Sequence, residues 1–187
     1  MSAADQFAAV SALANKSLAQ VVDMEWSVPA GTLDWTRSQT VDHMVDCVFS
    51  YAMQLASRSL GGFLSFHELH ALPDATPSDL IQGLRAVEEI FVAVLQYAPS
   101  DAVASDGLAE LGVDDWAQRG AYEVLLHTHD VLTGLAVAFD PSASMCAWVL
   151  GSKNLWMLDR ERAEMANDSW SALLLGSGRT VDTTSRE

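Results

Sequence analysis

The chain has 187 residues, half of them apolar, which is enough to bury a sizeable core within one domain. Its 25 acidic residues outnumber 10 basic ones, and the net charge of -15 excludes a nucleic-acid partner, because there is no basic surface to exchange for phosphate counterions. No window reaches the ~20 predominantly apolar residues that span a bilayer, so no membrane partner is expected either.

From Met1 to Val22 there is no cationic start followed by an unbroken apolar core; Asp5, Gln6, Lys16 and Gln20 interrupt the apolar residues at helical spacing. No secretory signal is expected, and a cytoplasmic location follows. Phe7, Val10, Leu13, Leu18 and Val21 predict a first helix from about Ala4 to Met24. After a loop containing Pro29 and Gly31, Thr36 and Gln39 have capping-box spacing and open a second helix, which Gly61-Gly62 stops after Leu60. Phe63 to Ala75 reads as irregular. Thr76-Pro77-Ser78-Asp79 then supplies an N-cap, a proline at the first helical position and an acid in the first turn of a third helix running to about Tyr97. A loop rich in Asp, Ser, Ala and Gly leads to Asp114-Asp115, where a fourth helix starts and continues to about Ala138. Beyond Asp140-Pro141 a fifth helical segment, Ser142 to Leu175, breaks near Gly151-Ser152. Gly176 to Glu187 reads as a disordered polar tail.

No β-strand alternation is sustained. The expected fold is therefore all-α: a four-helix bundle with an additional C-terminal helical segment, forming one domain over residues 1–175. Cys47 and Cys146 lie far apart inside apolar helical patterns, which suits reduced, buried thiols better than a disulfide. Trp148, Trp156, Trp170 and Leu173 to Leu175 supply core packing or a homodimer face.

One constellation carries chemistry. On the fourth helix Val113, Trp116, Gly120, Val124, Val131, Leu135 and Ala138 form an apolar stripe. His127 lies inside it and Glu123 at its margin, while Arg119, Tyr122, Asp115 and His129 face outward. Glu123 and His127 are one turn apart, close enough to share an ion. The spacing alone is not a motif: with 5 His and 25 acids in the chain, roughly 0.8 such pairs arise by random placement. On the second helix His43 shares a narrow polar lane with Asp46, Ser50, Gln54 and Ser57. Periodicity admits two readings of that lane, solvated surface or the lining of a polar pocket. His67 and His70 lack the spacing of a His-Glu-x-x-His metalloprotease helix, and no Glu-x-x-His, Gly-x-Ser-x-Gly or phosphate-loop pattern occurs.

The order Trp35-Thr36, His43, then Glu123-x3-His127 followed by Asp130 and Gly134, resembles the DinB/YfiT-like metal-binding superfamily. The closer likeness is to its mycothiol-dependent maleylpyruvate isomerase N-terminal-domain branch, over roughly residues 5 to 140. The resemblance implies a four-helix bundle holding one divalent metal, most often Zn2+, on His43, Glu123 and His127. It implies that the His43 lane faces the metal, and that Asp130 contacts a ligand or packs the helix. It also implies a mycothiol-like thiol cofactor and a small electrophilic substrate, in transferase, isomerase or hydrolase chemistry, since a bound metal lowers the pKa of a thiol or water. Ser50, Gln54 and Arg58, beyond His43 on nearby faces, are the candidate cofactor-binding residues. The isomerase itself carries a further C-terminal domain that this sequence does not match, so isomerisation of maleylpyruvate is not expected. A non-catalytic metal-binding module of the same fold is the alternative, and no catalytic residue beyond the ligands is assigned.

Overall fold

A computed structural model describes residues 1–65 and 68–181. His67 and the last six residues of the expected polar tail lie outside the described residues. The architecture is helical, with one small hairpin. Helices α1 (Ala3–Leu18), α2 (Arg37–Ser57), α3 (Pro77–Tyr97) and α4 (Val113–Leu132) form the bundle. Strands β1 (Val103–Ser105) and β2 (Glu110–Gly112) pair antiparallel between α3 and α4, with Ala104 opposite Leu111. Short helices α5 (Ala143–Leu150), α6 (Arg160–Glu164) and α7 (Ser169–Gly176) follow. No helix of the described residues is long and apolar enough to cross a membrane.

Local chemistry accounts for the helix starts. Ser2 and Asp5, Thr36 and Gln39, and Thr76 and Asp79 each form a reciprocal capping box, satisfying backbone N–H groups that the first turn leaves without intrahelical partners. Around the bundle α1 packs on α3 and α4, and α2 packs on the same two helices, so the α1/α3 and α2/α4 faces lie on opposite sides. Phe7 and Phe91 meet edge-to-face at 4.8 Å beside Gly120, whose missing side chain lets the helices close up.

Four differences from the sequence reading have physical causes. The first helix ends at Leu18 and continues only as a 3-10 turn, Ala19–Val21. Helix α4 stops at Leu132 rather than near Ala138, where Gly134 turns the chain with φ +80. The Arg37 guanidinium donates to the carbonyls of Val131 (2.9 Å) and Thr133 (3.4 Å), placing a cation where the helix leaves its last carbonyls unpaired. Arg119 and Tyr122, expected on the outer face, are buried, because the segment after α5 covers them: Asn154 and Met157 supply carbonyls to their side chains. Arg119 also pairs with Asp106 in the hairpin turn at 2.7 Å. Finally, the strands are three residues each, too short for alternation to be visible in sequence.

The C-terminal segment breaks as expected near Gly151, but into three helices. Leu173 and Leu174 join the core, and Trp148 and Trp170 pack against it. Trp156 is exposed.

Candidate metal centre

Helices α2 and α4 bring the three sequence candidates together. His43 comes from the second turn of α2, Glu123 and His127 from successive turns of α4, and one donor atom from each lies within 4.8 Å of the others. Glu123 Oε2 is the shared point, 3.8 Å from His43 Nε2 and 3.3 Å from His127 Nε2. A tetrahedral ion with bonds of about 2.0–2.1 Å holds its ligand atoms roughly 3.3 Å apart, so the Glu123–His127 separation already suits a zinc-type ion and the His43 ring has to move inward to complete the set. Their side chains are exposed by 33% at His43, 5% at Glu123 and 11% at His127, so access to the centre runs past His43.

Neighbouring groups fix which atoms face inward. The Tyr51 hydroxyl donates to Glu123 Oε1 at 3.2 Å and leaves Oε2 toward the histidines. Asp130 Oδ2 lies 3.0 Å from His127 Nδ1, which orients the ring with Nε2 toward Glu123. Asp130 is in turn clamped by Arg179, whose Nε donates to Oδ1 at 2.8 Å and whose Nη2 donates to Oδ2 at 2.5 Å. A histidine held from behind by a carboxylate is the usual device for setting the tautomer and basicity of a metal-binding imidazole.

The electrostatics reflect this crowding. Burial works to raise the Glu123 carboxyl, but the His127 hydrogen bond and charge, with His43, outweigh it and hold the group below its ordinary range. Burial works to lower His127, and hydrogen bonds to Asp130 and Glu123 outweigh it, so its pKa is raised. Burial and the His127 charge lower His43. Tyr51 is pushed well above the usual phenol value by burial and by the Glu123 charge, and stays a donor.

An aromatic wall and a thiol complete the surroundings. The Trp35 ring packs 4.8 Å from His43 and 6.3 Å from His127, while the two imidazoles meet edge-on at 5.1 Å. Its backbone is held by the Pro29–Thr36 bridge and by the Ala30 N–H donating to the Trp35 carbonyl. Cys47, one turn beyond His43, places Sγ 3.4 Å from His43 Nε2; burial, Glu123 and Asp46 push its thiol up, so it stays protonated. Neither cysteine is disulfide-bonded.

The candidate cofactor-binding residues do not converge on this centre. Gln54 is buried and engaged with loop backbone: Nε2 donates to the Gly62 and Ser105 carbonyls, and Oε1 accepts from Leu64 N–H. Gln54 also lines a small groove beside the loop that it anchors. Arg58 is the exposed left-handed cap of α2, roughly 22 Å along the helix axis from His43 at the standard rise. Ser50 lines a small groove with Asp46, Phe49 and Met53. His70 pairs with Asp42 and Glu68 at the surface.

Sequence reasoning passed over Tyr51, Cys47 and Arg179. The first two share a face with His43 at four-residue spacing, a signal legible in the sequence. Arg179 carries none. Comparison with protein-family models, with curated proteins and with solved structures finds no match to this chain.

Proposed function

We propose that this protein binds one divalent metal ion, zinc fitting the donor set best, and acts as an enzyme on small electrophilic molecules with a low-molecular-weight thiol of the mycothiol type. The observation that carries the reading is Glu123 Oε2 poised between His43 Nε2 and His127 Nε2. Two neutral nitrogens and one carboxylate leave an ion at about +1 with an open position. Bound there, it supplies Lewis acidity that lowers the pKa of a thiol or water.

The chain's own residues do the rest. Tyr51 keeps Glu123 turned inward, Asp130 with Arg179 keeps His127 in register, and the half-exposed Trp35 ring packs beside both imidazoles. Membership of the DinB/YfiT-like superfamily is part of the proposal, supported by the order of Trp35, Thr36, His43, Glu123, His127 and Asp130. A cytoplasmic location is supported by the two unpaired cysteines, and a homodimer by the exposed Trp156.

The test has two stages. Elemental analysis of metal-replete protein should give one ion per chain, and His127→Ala should lose it; an unchanged content in the variant sinks the proposal. Zinc-loaded protein should then catalyse adduct formation between mycothiol and one of a panel of electrophiles. A second reading, a non-catalytic metal-binding module, is favoured by Gln54, whose engagement with loop backbone removes one polar contact from the thiol. It is distinguished by stoichiometric metal without turnover.

A further inference from the structure

Entry to the metal centre runs past His43, whose side chain is 33% exposed, so the groups around that ring decide what can arrive. Trp35 is one of them, 43% exposed, with its indole 4.8 Å from the imidazole. Along α2 stand Asp42, next to His43 in sequence, and Asp46, one turn on. Both are half-buried and both act on His43 through their charge, Asp46 acting on Cys47 as well. They are compensated differently. Asp42 holds His70 at 2.8 Å and accepts from the Ala71 N–H. Asp46 accepts from the Leu69 N–H at 2.8 Å and forms no ion pair among the described residues. Arginines of the surrounding elements are engaged elsewhere: Arg37 donates to the Glu25, Val131 and Thr133 carbonyls, Arg179 to Asp130, and Arg119 is paired with Asp106. The entrance thus joins an open indole face to an uncompensated carboxylate.

We propose that this entrance selects for positive charge: the small molecule brought to the ion carries a cationic group beside its reacting atom and no carboxylate there, with that group over the Trp35 indole and toward Asp46. The inference rests on the metal reading above and names a substrate class for it. Once a thiolate fills the open position, a divalent ion, Glu123 and the thiolate sum to zero charge. The field felt by the rest of the ligand is then that of the acids. A cation is drawn by the carboxylate and by the negative face of the indole, whereas a carboxylate is repelled by Asp46.

The experiment uses the full chain loaded with one equivalent of Co2+, whose ligand-field bands report the ion and whose near-ultraviolet sulfur-to-metal band reports a bound thiol. Cysteamine, 2-mercaptoethanol and 3-mercaptopropionate are titrated at pH 8 and low salt, where their far ends are positive, neutral and negative. These thiols differ in their own acidity, so the measure is how each affinity changes between wild type and variant. Asp46→Asn keeps an acceptor for the Leu69 N–H and removes the charge. It should lower the preference for cysteamine over 3-mercaptopropionate by about threefold or more and leave 2-mercaptoethanol unmoved. Raising the salt should compress the wild-type preference in the same direction. Trp35→Leu should weaken cysteamine relative to 2-mercaptoethanol by about twofold or more. An unchanged preference in Asp46→Asn with the cobalt bands intact overturns the charge selection and leaves the metal reading standing. Absence of cobalt bands at one ion per chain sinks the metal reading and this inference with it.

Discussion

His127 sits between two carboxylates, and their jobs differ. Glu123 faces the candidate metal position with it, whereas Asp130 contacts only the far nitrogen. Replacing Asp130 by Asn keeps the shape and removes the charge, so zinc affinity should fall by roughly 10- to 100-fold with the helical content unchanged, as measured by chelator competition and circular dichroism. Loss of stoichiometry without loss of affinity would contradict that role. Glu88 gives a second prediction at this scale. Its folded pKa is raised from 4.5 to about 7 by burial, so between those values the native state binds the extra proton. Stability is therefore full below pH 4.5 and falls as pH rises to 7, by about 3 kcal/mol at most. Glu88→Gln should raise the denaturation midpoint at pH 8 and leave it unmoved at pH 4. A variant less stable at pH 8 would refute the assignment. Helical spacing in the sequence puts His127 on the inward stripe of α4 and Glu123 at its margin, whereas periodicity left His43 open and only the family resemblance singled it out. The loop-anchoring bonds of Gln54 were not legible, because a glutamine in a polar lane looks the same whether it faces a ligand or a loop.

Among the elements, α4 governs the site. It supplies two of the three residues of the candidate centre, and on its other side Gly120 sets how closely it approaches Phe7 of α1 and Phe91 of α3. A Cβ there would lie 2.7 Å from Phe91 and 3.0 Å from Phe7. Gly120→Ala should therefore destabilise by about 1–3 kcal/mol despite alanine's better helix propensity. Adding Phe91→Leu should recover part of the loss; urea midpoints of the single and double variants check both statements, and a stabilised single variant would show that the helices are not in close contact. Capping chemistry made the starts of α2 and α3 readable, since Thr36 with Gln39 and Thr76 with Asp79 act within one turn. The end of α4 was not readable. It is set by Arg37, 94 positions before Val131, and a local pattern carries no trace of such a partner. The same holds for the burial of Arg119 and Tyr122, which depends on a segment that folds back over them.

For the whole molecule, the proposed metal binding is linked to folding, since His43 and the α4 pair meet only in the bundle. Zinc at about 100 times its dissociation constant should stabilise the native state by roughly 2.7 kcal/mol. For a chain of this size that is a melting-temperature rise of about 5–10 °C, removed by chelator and absent in His127→Ala. A rise that persists in the variant would place the ion elsewhere. The bundle class was evident from composition and helical spacing. What holds its far end to its centre was not: Arg179 reads as part of a polar tail, yet it clamps Asp130 across 49 positions. That contact has a consequence in time. His43, Glu123 and His127 all precede Arg179 in the chain, so the residues that meet at the centre are made before the one that clamps Asp130 behind it. The Asp130 side of the proposed centre is therefore completed only when the segment carrying Arg179 has joined the bundle.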